Sequence, residues 1–240
     1  MNITHFIFVK KFLRNHIKML TYADRLCFIK RPVGIIFEWG RSMTRKGAQT
    51  RQKIIEKALR LFCVKGYYNT SVNDILQTTG LTKGGLYGHF ASKEALWYAV
   101  YDEALRIWRK VVFQGIQSNA DPLERIQTLI ENDLKKKLGK NIFEGGCFFH
   151  SMLVELSGQS PAMSNHLMQG FEQLAGLLCA WLKEADQQGQ LKENLNFSSI
   201  ANYIVVCLNG AAALYAASRN PAILDQTASQ LRFYLRQLKN

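Results

Sequence analysis

The stretch Thr82-Lys83-Gly84-Gly85-Leu86-Tyr87-Gly88-His89 gathers side chains that recognise by hydrogen bonding rather than by breaking bonds. A lysine ammonium donates to guanine O6 and N7, and a threonine hydroxyl serves either strand of a duplex. Thr82 can cap a short helix whose apolar side is Leu86 and Phe90, four residues apart, while Lys83, Gly84, Tyr87 and His89 keep its other face. Gly84 and Gly85 each cost about 1 kcal/mol relative to alanine inside a helix. Either close approach of the backbone to DNA or fraying of the first turn accounts for them. A different chemistry is open to Cys147, which follows Gly145-Gly146 at an expected helix start, where the dipole favours a thiolate.

Bond-breaking machinery is missing. No G-x-S-x-G, H-E-x-x-H, Walker-type loop or dinucleotide glycine fingerprint occurs, so an enzyme lacks its parts. The five cysteines (Cys27, Cys63, Cys147, Cys179 and Cys207) show neither C-x-x-C spacing nor a nearby histidine pair. That argues against a disulfide scaffold, a zinc site or any other metal, and fits a reducing cytoplasm. No cofactor is implied. The opening MNITHFIFVKKFLRNHIKML breaks its apolar run with Lys10, Lys11, Arg14 and Lys18, and no apolar run reaches the length of a membrane span, so no membrane is expected.

The elements that must position Thr82 to His89 are helices. Ile54, Ile55, Ala58, Leu61 and Phe62 form one stripe opposite Arg51, Lys53, Lys57 and Arg60, and the helix stops at Lys65-Gly66. A second helix starts at Ser71, with Asp74 completing a capping box, and ends at Gly80. Leu81 alone separates that glycine from Thr82, and the third helix runs over Lys83 to Phe90. Two short helices joined by a turn containing glycine describe a helix-turn-helix, whose second helix fits the major groove. Ser92 caps a longer fourth helix with Glu94 in its first turn.

Net charge is +13 and is unevenly placed. Residues 1–42 carry 8 Lys/Arg against 2 acids, residues 43–97 carry 9 against 3, and residues 98–240 carry 14 against 13. The excess therefore sits where the helix-turn-helix lies, as a polyanion partner would require.

The segment TRQKIIEKALRLFCVKGYYNTSVNDILQTTGLTKGGLYGHFASKEALW resembles the DNA-binding domain of the tetracycline-repressor family, without a gap over about 48 residues. The resemblance implies an all-α chain: an N-terminal three-helix helix-turn-helix domain, placed at residues 47–107, and a C-terminal helical effector-binding and dimerisation domain at 108–240. It puts Thr82, Lys83 and Gly84 at base edges and Gly85, Tyr87, His89 and Lys93 along phosphates, with Asn73 as a further contact. Gly88 departs from the large aromatic residue common before that histidine. The function implied is a homodimeric regulator, a repressor released from palindromic double-stranded operator DNA by a small apolar or electrophilic effector. An architectural, sequence-tolerant DNA-binding protein without a ligand is the alternative.

Beyond the fourth helix, helical patterns cover roughly 122–140, 147–157, 161–187, 197–218 and 221–238. The last two are apolar over most of their circumference and suit an interface between subunits. Phe143, Phe148, Phe149, Met152, Met168 and Trp181 are candidates to line an apolar pocket beside Cys147, with His150 and Glu155 as polar handles. Residues 1–42 stand outside the resemblance and read as an extension: a poorly ordered arm or an over-extended start ahead of Met43.

Overall fold

Thr44 opens the first helix, its hydroxyl accepting the Gly47 N–H at 3.2 Å, so helix α1 spans Arg45–Lys65 and begins well ahead of the stripe that starts at Ile54. The computed structural model describes residues 44–118 and 120–240, and the proposed 1–42 extension lies outside them. Helix α2 follows at Val72–Thr79, α3 at Lys83–Tyr87 and α4 at Lys93–Val112. Each start carries the cap read from the sequence: Ser71 exchanges hydrogen bonds with Asp74, Thr82 caps α3, and Ser92 accepts from the Ala95 N–H at 3.0 Å. Ile54, Phe62, Ile75, Leu86, Phe90, Leu96 and Trp97 form the buried centre of this first part.

Helix α4 is continuous across the 107/108 division proposed from the sequence, so the DNA-binding and C-terminal parts share a helix rather than a linker. The C-terminal part contains α5 (Pro122–Glu131), a π-helical segment (Asn132–Leu138), α6 (Phe148–Leu156), α7 (Pro161–Gln187), α8 (Phe197–Ser218) and α9 (Ala222–Gln237). Met43–Ile116 and Asp121–Asn240 form one compact unit, to which all these helices belong. Helix α7 packs along α8 and α5, and α1 packs on α4 and touches α6.

Two departures from the sequence expectation have physical causes. The single helix expected over 122–140 widens at Asn132, where Gly139 N–H reaches back five residues to the Leu134 carbonyl at 3.0 Å. Asn132 is there tied down by its side-chain amide, which donates to the carbonyls of Val112 and Gln114 at 2.9 Å each. Helix α8 is, by length and composition, apolar enough to cross a membrane, which the search for an unbroken apolar run missed because polar residues punctuate it. Its inner side, including Ile200, Ile204, Leu208 and Ala212, is buried in the bundle, while Tyr203, Val206 and Leu214 remain exposed.

Candidate nucleic-acid interface and ligand cavity

The turn between α2 and α3 is built from Gly80, whose φ of 72° reverses the chain while its N–H closes α2 on the Leu76 carbonyl at 2.9 Å. Ile75, Leu86 and Phe90 are buried beneath it, which fixes α3 with its opposite face outward. That face carries Thr82, Lys83, Gly84 and Tyr87, all exposed, with Gly85 and His89 half-buried; Asn73 is exposed near the start of α2. Thr82 Oγ accepts the Gly85 N–H at 3.2 Å, so it is the hydroxyl proton that Thr82 can offer outward. A methyl group at Gly84 would meet no atom within 4 Å, and at Gly85 only ordinary contacts. Nothing within the fold demands glycine at Gly84.

Helix α3 ends at Tyr87, shorter than the Lys83 to Phe90 expected. The His89 N–H turns to the Leu86 carbonyl at 2.9 Å, tightening the last turn after Gly88. Lys93 is half-buried at the start of α4. Its Nζ lies 4.2 Å from the centre of the Tyr67 ring, and burial holds its pKa below the ordinary lysine value against the pull of Glu155 and Asp74.

The second site is a mostly apolar cavity in the C-terminal part, walled by Leu105, Trp108, Phe149, Phe171, Leu174 and Leu208 among others. One side is polar. The buried Asp133 carboxylate accepts from Trp108 Nε1 at 2.9 Å and from Lys137 Nζ at 2.7 Å, and Lys137 Nζ lies 3.8 Å from Cys147 Sγ. Burial alone would depress the Lys137 ammonium, but the Asp133 carboxylate and the Cys147 sulfur raise its pKa above the usual lysine value. Tyr101, also in the wall, has its phenol pushed up to about 12, chiefly by burial, and remains a proton donor.

Of the ligand residues proposed from the sequence, the wall contains Cys147 and Phe149. Cys147 is the N-cap of α6 and is buried. Phe148 and Met152, one helical turn apart, face the core instead, and Phe148 packs on Phe143 and Phe149. Trp181 is fully buried under the Arg125 guanidinium, 5.4 Å away, and Met168 is exposed. His150 is half-buried outside the wall, its pKa lowered by burial and by the Lys137 charge. Glu155 points to the loop after α1, accepting the N–H groups of Tyr67 and Tyr68.

Sequence reasoning missed Asp133 and Lys137. Their i, i+4 spacing was visible, but such pairs ordinarily mark a solvated helix face, whereas this one lies buried in the π-helical segment.

Residues 54–100 match the family model described as bacterial regulatory proteins, tetR family, and residues 122–231 match the tetracyclin repressor-like C-terminal domain. The chain belongs to the tetracycline-repressor family. It is a DNA-binding transcriptional regulator, as its relatives are. The HTH-type transcriptional repressor DhaR of Mycobacterium sp. (strain GP1) is 27% identical over 73% of this chain and 87% of its own. An uncharacterized HTH-type transcriptional regulator of Lactococcus lactis is 29% identical over 76% of this chain and 91% of its own. Among solved structures, a TetR transcriptional regulator from Chloroflexus aurantiacus superposes with a TM-score of 0.75 at 24% identity, covering 82% of this chain and 98% of its own. The tetracycline-repressor fold thus extends over both parts described above.

Proposed function

We propose that this tetracycline-repressor family member is a homodimeric repressor that binds a palindromic operator in the cytoplasm and is released when a small molecule enters the cavity. The observation that carries the reading is the pairing, within one compact unit, of an outward polar recognition face on α3 with an apolar, partly charged cavity whose wall includes Tyr101, Leu105 and Trp108 of α4. Helix α4 starts just after the recognition helix and ends at Val112, whose carbonyl accepts from Asn132 of the π segment, so a change in the cavity has a continuous route to the DNA-binding face. Thr82, Lys83 and Gly84 meet base edges in this reading, Gly85, Tyr87, His89 and Lys93 lie along the phosphates, and Asn73 is a further contact.

The dimer interface is assigned to α8 and α9. Tyr203, Val206, Leu214 and Phe233 are large apolar groups left exposed there, and a shallow groove runs between the helices past Cys207, Gly210 and Gln230. A second copy seated on this face would cover them and pair two recognition helices about a two-fold axis. The effector is a small, largely apolar molecule with one polar group that meets Lys137 or Tyr101, and Cys147 gives a thiol-reactive compound a point of attachment.

Footprinting on DNA upstream of the chain's own gene, with excess non-specific competitor, tests the reading. Symmetric protection that survives the competitor is expected. Protection without sequence preference would favour the architectural alternative.

A further inference from the structure

The Glu155 carboxylate closes on two successive backbone amides of the DNA-binding part, Tyr67 N–H at 2.8 Å and Tyr68 N–H at 2.7 Å. The loop is shaped to receive it. A side chain at Gly66 would place its first carbon 2.7 to 2.9 Å from the carboxylate atoms of Glu155, and Gly66 itself has a φ of 84°. The loop ahead of α6 approaches α1 as tightly: a first side-chain carbon at Gly145 would fall 2.7 Å from the Cys63 carbonyl oxygen. Helix α6 is therefore docked on the end of α1 from both of its own ends.

The same helix enters the cavity. Cys147, its N-cap, and Phe149, in its first turn, belong to the cavity wall, and Glu155 lies six residues on from Phe149, about 9 Å along the axis. The residue that Glu155 grips is also tied to α4, because the Lys93 ammonium sits over the Tyr67 ring at 4.2 Å. Tyr67 in turn packs on Phe62 of α1, ring centres 5.6 Å apart. One short segment thus touches α1, α4 and α6.

We propose that Glu155 is a positioning residue for DNA recognition, the latch through which α6 carries the state of the cavity to the helix-turn-helix. The inference rests on the effector-released reading above. When a molecule displaces Phe149 or Cys147, α6 shifts as a rod, because a nine-residue helix does not stretch. Glu155 then loses one or both amides, and the recognition helix leaves its DNA-binding position. A glutamine at this position keeps the size but turns an amide donor toward a backbone donor, which breaks the two-pronged grip.

Four full-length proteins test it: wild type, Glu155→Gln, Ala212→Phe and the double variant. Ala212 is a buried wall residue, so the phenyl group acts as a built-in occupant of the cavity. Operator affinity is read by fluorescence anisotropy, and exchange of the Tyr67 and Tyr68 amides by nuclear magnetic resonance. Each single variant should weaken operator binding about five- to tenfold and speed exchange at both amides. The double variant should be no weaker than the worse single one. Multiplicative losses, or weakened binding by Ala212→Phe with both amides still protected, overturn the latch and leave the effector reading standing. If Ala212→Phe leaves affinity unchanged while Glu155→Gln weakens it, cavity-driven release itself fails and Glu155 is a static brace. Should Ala212→Phe not fold, Leu174→Trp fills the same cavity from α7.

Discussion

The Lys137 ammonium lies 2.7 Å from the Asp133 carboxylate in the cavity wall, with the two side chains only 6% and 3% exposed. A pair so shielded is held by mutual compensation, and Trp108 Nε1 adds a third hydrogen bond to the carboxylate. Removing one charge should therefore cost more than removing both. Asp133→Asn, which keeps an acceptor for Trp108, is expected to destabilise the protein by about 3–5 kcal/mol by leaving the ammonium uncompensated. Adding Lys137→Met should recover most of that loss. Chemical denaturation of wild type and the two variants checks it, and a double variant no more stable than Asp133→Asn would contradict the mutual compensation.

Lys83 and Lys93 should behave differently on DNA. Lys83 stands exposed at the start of α3, and Lys83→Ala should cost about 1–3 kcal/mol on operator DNA and little on random DNA. Lys93→Ala should weaken all sequences alike and lower the salt slope by about one. Affinity measured across a salt series on both DNAs separates the two. The same uniform loss from both variants would contradict the division into base and phosphate contacts.

Asp74 gives the helix-turn-helix a defined response to acid. Hydrogen bonds from Lys65 and Ser71 hold its carboxyl well below the usual carboxylate range. A carboxyl lowered on folding contributes stability that is fully present above the ordinary carboxylate pKa and is lost as pH falls through the folded value. Wild type should melt above Asp74→Asn at neutral pH, and the gap should narrow as pH drops below about 4. A gap that stays constant down to pH 2 would remove Asp74 as the cause.

Cys147 is the cysteine of the cavity wall. Its sulfur faces the Lys137 ammonium at 3.8 Å, whereas burial pushes the Cys63 thiol up to about 12. With an α,β-unsaturated ketone, the Cys147 thiol gives up its proton as sulfur bonds to the β-carbon, the C=C π electrons move toward the carbonyl oxygen, and a proton relayed through water or Lys137 ends on the α-carbon, so the thiol adds across the double bond. Exposure to such a ketone should release wild type and Cys63→Ser from operator DNA in a gel shift and leave Cys147→Ser bound. Equal release of Cys147→Ser would make Cys147 a packing residue.

Much of the DNA-binding part was legible because its determinants are local. Ser71 with Asp74, Gly80, Thr82 and Ser92 each cap or end a helix through atoms within a few residues, so their types and spacing carried the geometry. Periodicity likewise exposed the long C-terminal helices. The cavity was not legible in the same way, since its wall draws on α4, the π segment, α6, α7 and α8. Cys147 was found through a local signal, the preceding glycines. Phe148, Met152 and Trp181 share the composition of a pocket wall, but rotation about the helix axis, set by packing from distant segments, turns them into the core. Glu155 carried no signal of its contact with Tyr67 and Tyr68, which lie 88 and 87 residues away.

Sequence-specific binding by two symmetric recognition helices is tested most directly by an anisotropy titration on two duplexes. One carries an operator selected from random DNA in the presence of competitor, and the other has a single half-site scrambled. Each mismatched base pair costs about 1–3 kcal/mol, so loss of one half-site should weaken binding at least about a hundredfold, with two chains bound to the intact duplex. A change of less than about threefold, or one chain per intact duplex, would contradict a dimer that reads a palindrome through Thr82, Lys83 and Gly84.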